Sequence, residues 1–265
     1  MKKCFIIVAM LFISCKSVKQ PQSVSPAQNI TANGKLLASL FQQRAAEYKA
    51  LCFQAYNMAR IRLDEALLQQ QFKPLAIVTD IDETVLDNSP YDVKQSLLGS
   101  DYEQKSWEAW TALAKADTVP GARSFLKYAA SKDVRIFYLT NRAETERKGT
   151  LANLVQFDFP DAVTEQLILK DSVSSKERRR LAIAAKYQII MLIGDNLGDF
   201  SNLFDKKSSD ERSSNAVSNA SEFGKRFIIL PNPVYGDWEM SLYKYNYGLT
   251  PVQKDSVIKS VLKSY

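Results

Sequence analysis

The chain has 265 residues, 46% of them hydrophobic, enough for one ordinary globular domain with a small appended cap. Its formal net charge of +6 is modest and belongs in part to the first residues, so it does not mark a nucleic-acid polymer as partner. Histidine is absent, which excludes histidine-nucleophile phosphatases, Ser-His-Asp hydrolases and His-ligated zinc or iron sites. Acid–base chemistry therefore falls to carboxylates, Lys, Tyr or Cys.

Residues 1–15 start with Lys2-Lys3 and continue as an apolar run too short to span a bilayer, which predicts an export signal. The run closes on Phe12-Ile13-Ser14-Cys15, which resembles a bacterial lipobox. That resemblance implies acylation of Cys15 and a lipid-anchored protein of the bacterial cell envelope, at the outer membrane. Residues 16–34, rich in Ser, Gln, Pro and Asn, read as a flexible tether, leaving 35–265 as the folded domain. Once the leader is removed, only Cys15 and Cys52 remain, and with Cys15 lipidated no disulfide forms. Between residues 35 and 72 apolar side chains such as Leu37, Leu40, Tyr48, Cys52, Tyr56 and Leu63 keep helical spacing. Cys52 on that face reads as a buried structural thiol, and no C-x5-R loop surrounds it to make a cysteine phosphatase.

After Pro74, Leu75 to Val78 is a short apolar run that predicts a buried parallel strand. It ends in Asp80-Ile81-Asp82-Glu83, three carboxylates within four residues. Side-chain alternation sends Asp80 and Asp82 to the same side of the tip. Two like charges that close need a cation, a shared proton or both, and Mg²⁺ with oxygen ligands is the natural cation. In open α/β sheets such strand ends are where ligands collect. Residues 92–119, with Tyr102, Trp107 and Trp110, interrupt the alternation and read as an inserted helical cap; the helices of 35–72 are its other part.

A second strand over 134–139 ends in Thr140-Asn141-Arg142, and a third over 167–170 leads to a Ser-capped helix start at 174–180. There Lys176 is well placed to meet an anion, whereas Arg178 to Arg180 read as a solvated face. A fourth strand, 188–193, delivers Gly194-Asp195-Asn196-Leu197-Gly198-Asp199, whose two acids stand one helical turn apart. Residues 201–225 read as a polar loop or lobe. A fifth strand, 227–230, precedes Pro231-Asn232-Pro233-Val234-Tyr235-Gly236-Asp237-Trp238-Glu239, and a last helix is expected over 251–262.

Four elements in order (Asp80-x-Asp82, Thr140, Lys176 and Gly194-Asp195-Asn196-x-x-Asp199) resemble the motifs of the haloacid dehalogenase (HAD) superfamily. In its longer form, residues 77–91 with the segment 231–239, the pattern is similar to the class C acid phosphatases, a lipoprotein family that includes 5′-nucleotidases. The resemblance spans roughly residues 36–250. It implies an α/β fold: a Rossmann-like HAD core with a parallel sheet flanked by helices, and a small helical cap from the N-terminal helices and the insertion. It further implies Asp80 as nucleophile and Asp82 as general acid and base. Mg²⁺ would be held by Asp80, the main-chain carbonyl of Asp82 and Asp195, with Asp199 a direct ligand or one step behind. Thr140, Asn141 and Lys176 (rather than Lys170) would bind phosphate, and Trp107 and Tyr235 would face a substrate base at the mouth of the cleft.

The implied activity is that of an acid phosphatase acting on small phosphomonoesters or nucleotides, with homodimerisation left open. A phosphotransferase sharing the site is the enzymatic alternative, told apart by capture of phosphate on added alcohols. A non-catalytic nucleotide-binding or adhesion lipoprotein is the other. It is disfavoured because a pure binder gains nothing from an acid placed on a leaving group.

Overall fold

The sheet is built around β1 (Leu75–Thr79), whose five residues are all buried. In this computed structural model residues 30–265 are described. The expectations on residues 1–29, including the leader, Cys15 and most of the tether, lie outside them. β4 (Arg135–Leu139) and β6 (Gln188–Gly194) flank β1, and β5 (Leu167–Ile168) and β7 (Phe227–Ile229) take the edges, all parallel, in the order β5-β4-β1-β6-β7. Successive residues feed opposite layers. Ile77, Ile136, Tyr138, Met191 and Ile193 join the larger core, whereas Ala76, Val78, Phe137, Leu139 and Leu192 join the smaller one. Strands buried on both faces need to be apolar throughout, and that is why they read as continuous runs.

The larger core is closed by α2 (Ala46–Leu67), α5 (Ala122–Ala130) and α6 (Arg147–Gln156); the smaller one receives Ile183 of α7 (Glu177–Lys186). On α2 the buried residues Tyr48, Cys52, Tyr56, Ala59 and Leu63 follow one another by three or four positions. Burial pushes the Cys52 thiol up to about 11, as suits a structural cysteine.

The helical stretch expected from residue 35 differs in three ways. α1 (Ile30–Arg44) begins five residues inside the span assigned to the tether, because the carboxylate of Asp255 accepts from Ile30 and Thr31 N–H at 3.1 and 3.3 Å. Asp255 lies on α10 (Pro251–Val261), so a contact made across the whole chain caps this helix. Ala45, extended at ψ 130°, separates α1 from α2, which stops at Leu67. On α1, Leu37 and Leu40 face solvent while Ser39 and Gln42 are buried against α3 (Ser89–Leu97), reversing the expected face.

The insertion is helical, as expected. It holds α3 and α4 (Gln104–Ala112), fastened by a short antiparallel ladder of β2 (Leu86–Asp87) and β3 (Asp117–Thr118). Residues 201–225 are not all loop: α8 (Ser209–Ser218) is started by Ser208, whose hydroxyl accepts from Glu211 N–H. Its only buried residue is Arg212, so there is no apolar periodicity to reveal it. α9 (Asp237–Leu242) follows the last loop.

Candidate active site

The tips of β1, β4 and β6 converge on the side where the sheet order reverses between β1 and β6. Asp80 leaves β1 with its N–H bonded to Ile193 O at 2.8 Å, so its position is set by the neighbouring strand. Asp195 follows Gly194 at the end of β6, and Asp199 closes a 3₁₀ turn whose first residue, Asn196, donates its N–H to Asp199 Oδ2 at 2.9 Å. Asp199 packs so tightly on Gly194 that a Cβ there would collide with its carboxylate, which is the reason for glycine. Oxygens of Asp80, Asp195 and Asp199 lie within 4.8 Å of one another.

Lys176, at the start of α7, is buried between two of these acids. Its Nζ donates to Asp80 Oδ1 at 2.5 Å and to Asp199 Oδ1 at 2.6 Å. Burial alone would lower its pKa, but Asp199 and Asp80 outweigh it and leave it above the ordinary lysine value. One cation does not balance three carboxylates. Burial, only partly offset by Lys176, lifts Asp80 to about 7, and burial with Asp199 and Asp80 nearby puts Asp195 well above its usual range. An all-oxygen donor set, with Asp80 and Asp199 buried and Asp195 half-buried, and with excess negative charge, fits a hard divalent cation such as Mg²⁺. Asp195 is also held by Asn232, whose Nδ2 donates to Oδ2 at 2.7 Å.

Asp82 is in a different setting. Its carboxylate lies outside the trio and accepts from Arg142 Nη2 at 2.7 Å and from Asn88 Nδ2 at 2.9 Å. Carboxylate ligation by Asp82 therefore does not match this arrangement; the resemblance pointed to its main-chain carbonyl. Thr140 is buried at the β4 tip with Oγ1 3.4 Å from Asp82 Oδ2. Asn141 is exposed, and its Oδ1 accepts from Arg179 at 2.7 Å. Lys170, the alternative to Lys176, is exposed.

The basic run on α7 is only partly the solvated face it resembles. Arg178 is exposed and pairs with Asp171. Arg179 and Arg180 are buried: Arg179 donates to Thr140 O and Leu169 O at 2.7 and 2.9 Å, and Arg180 donates to Asp199 O at 2.7 Å. Both clamp the backbone of the site, and only a tertiary fold distinguishes them from Arg178. Arg142 and Asn88 were legible as polar residues next to motifs, yet nothing in the spacing told that they meet at Asp82.

The two aromatics have different immediate neighbours. Trp107 is buried, its ring edge-on to Tyr91 at 5.0 Å, with the Arg142 guanidinium 5.7 Å from its centre. Tyr235 lines a cavity of about 700 Å³ that also reaches Asp195, Asn232 and Trp238, and Trp107 is not part of that lining. The Tyr235 hydroxyl donates to the buried carboxylate of Glu83.

Strand-tip acids, a lysine bridging two of them and a helical insertion beside them define a HAD-type site. A family model described as HAD superfamily, subfamily IIIB (acid phosphatase), matches residues 6–238. The chain belongs to that family. The structure is similar to that of the class C acid phosphatase from Bacillus anthracis, with TM-score 0.86 and 41% identity over 89% of this chain and 99% of that one. A second structure of the Bacillus protein, with tungstate bound, matches equally well. Among curated proteins, acid phosphatase 1 of Solanum lycopersicum is 24% identical over 166 residues, 60% of this chain. The stem 31 kDa glycoprotein of Glycine max is 28% identical over 164 residues, 58% of this chain. Both matches span 57% of the relative's length.

Proposed function

We propose that the protein is a Mg²⁺-dependent phosphomonoesterase that works through an aspartyl phosphate on Asp80. The observation that carries this reading is the pairing of Asp80 with Lys176 inside a carboxylate trio. The pairing neutralises a nucleophile that would otherwise repel a phosphate, and keeps it oriented. When bound, Mg²⁺ supplies positive charge that lets an anionic ester approach a carboxylate. An Asp80 oxygen bonds to phosphorus as the bond to the leaving oxygen breaks, and Asp82 gives that oxygen a proton. Asp82 then takes a proton from water, whose oxygen bonds to phosphorus as the bond to Asp80 breaks, releasing phosphate. Lys176 and Thr140, both buried beside the acids, are the proposed holders of the remaining phosphate oxygens. Binding of tungstate, a tetrahedral oxyanion, by the Bacillus protein supports a phosphate-sized anion site here.

Nucleoside 5′-monophosphates are the proposed preferred substrates. The support is Tyr235 on the wall of a cavity that reaches Asp195, where a base could stack with little discrimination among bases. Anchoring through Cys15 in the bacterial envelope is proposed from the leader alone. The test is phosphate release from 5′-, 3′- and 2′-nucleotides and simple phosphomonoesters, with Mg²⁺ and after chelation. Release independent of added Mg²⁺ after exhaustive chelation overturns the metal requirement. Equal kcat/KM across the panel overturns the nucleotide preference.

A further inference from the structure

The two carboxylate oxygens of Asp82 are held unequally. Oδ1 accepts from Arg142 Nη2 at 2.7 Å, Arg142 Nε at 3.0 Å and Asn88 Nδ2 at 2.9 Å. Among the described residues Oδ2 has only the longer approaches of Arg142 Nε at 3.3 Å and Thr140 Oγ1 at 3.4 Å. Three short donors saturate Oδ1, so a proton placed there would meet them head-on. Oδ2 is the oxygen with room for one. The Asp82 side chain keeps 17% exposure while that of Arg142 keeps 2%, so the acid is open on one side and clamped on the other.

The clamp is itself fixed. Arg142 Nη1 donates to Thr150 Oγ1 at 2.9 Å, and Arg142 N–H donates to Thr140 Oγ1 at 3.1 Å. Asn88 Oδ1 accepts from Trp110 Nε1 at 2.9 Å, which turns the Asn88 amide so that Nδ2 faces Asp82. Trp107 and Trp110, both on α4, thus stand behind the acid: one beside the guanidinium, the other behind the amide.

We propose that Arg142 is the positioning residue that aims Asp82 Oδ2 at the leaving oxygen. This suits the site to phosphate esters of unactivated alcohols such as sugar hydroxyls, whose departure needs the proton, while activated esters are still turned over. The proposal rests on the reading of Asp82 as general acid. As the P–O bond breaks, the bonding pair stays on the leaving oxygen, which takes the Oδ2 proton and departs as the alcohol. A basic alkoxide needs that proton in the transition state; a nitrophenolate leaves without it. An acid out of line is therefore felt on alkyl esters and little on activated aryl esters. A residue that merely supports the fold would affect both alike.

The experiment compares kcat/KM for glycerol 2-phosphate and p-nitrophenyl phosphate in Asp82→Asn, Arg142→Lys and Thr150→Val, each checked for folding by thermal melting. kcat/KM is read because it ends with the first phosphoryl transfer. Asp82→Asn should fall about 100-fold further on the alkyl ester than on the aryl ester. Arg142→Lys should fall about tenfold further on the alkyl ester, and Thr150→Val, which frees the far end of the guanidinium, about threefold further. If Arg142→Lys does not fold, Thr150→Val decides. Parallel losses on both esters in the Arg142 and Thr150 variants, with Asp82→Asn still selective, overturn the role of Arg142 and leave the acid standing. Parallel losses in Asp82→Asn overturn the general acid and the proposal with it.

Discussion

Two carboxylates two positions apart at the end of one strand have been given opposite surroundings. Asp80 faces a lysine and two further acids, a pocket built to concentrate charge; Asp82 faces an arginine fork and an amide, a pocket built to fix direction. Neighbours in sequence therefore part in surroundings because different elements pack on them: α7 and β6 on Asp80, the β4 tip and the insertion on Asp82. Separate environments for two acids are how one site supplies both a nucleophile and a proton carrier.

The sharpest way to break that comparison is to remove the nucleophile. Asp80→Asn should lose on the order of 10⁴-fold or more in turnover on both aryl and alkyl esters while still folding. Retention of more than about a tenth of wild-type turnover would falsify the covalent mechanism. Lys176→Met tests the charge half of the contrast. It should lower kcat by about 10²- to 10³-fold irrespective of the leaving group, in contrast to Arg142→Lys. A leaving-group dependence in the Lys176 variant would erase the division of labour.

Smaller effects concern the aromatics. Tyr235→Ala should raise KM for a nucleotide by about 5- to 100-fold and leave a small ester nearly unaffected, since the ring lines the cavity. Trp107→Ala should impair a nucleotide and a small alkyl ester together, because its ring stands beside Arg142. Steady-state kinetics on the two substrates separate the outcomes, and matching behaviour of the two variants would put both rings in one role.

The smallest expected effect is on stability. Asp80 in the fold titrates at about 7, against about 3.9 in the unfolded chain, so between those values the folded state holds more protons than the unfolded one. Stability of chelated protein should therefore fall as pH rises from about 4 to about 7, the reverse of a salt-bridged carboxylate. Buried Asp92, on α3, is also lifted to about 7 and acts in the same direction. Added Mg²⁺ should raise the melting temperature more at pH 7.5 than at pH 5. A gap that shrinks with pH would mean the trio carries no excess charge to relieve.

The catalytic strands were legible because burial on both faces demands unbroken apolar runs, as Leu75 to Val78 and Ile189 to Ile193 show. α8 was not, since its single buried side chain is an arginine, and neither was the start of α1, which depends on Asp255 far along the chain. Arg178, Arg179 and Arg180 make the point within one triplet. The three are identical in sequence, yet the helical turn sends the last two under the strand tips and the first into solvent.

What the amino-acid order determined by itself is the set of groups at the strand ends. Asp80, Asp82, Asp195 and Asp199 follow from local patterns, because a strand's end is a short-range feature, whereas Thr140 and Lys176 were singled out by the resemblance to the HAD motifs. What only the tertiary structure decided is which of these groups face one another. Lys176 bridges Asp80 and Asp199, and Arg142 takes Asp82. Trp107 packs on Tyr91 beside the Arg142 guanidinium. Those choices depend on strand order and on the seating of the insertion over the tips, contacts between residues tens of positions apart that local sequence does not encode.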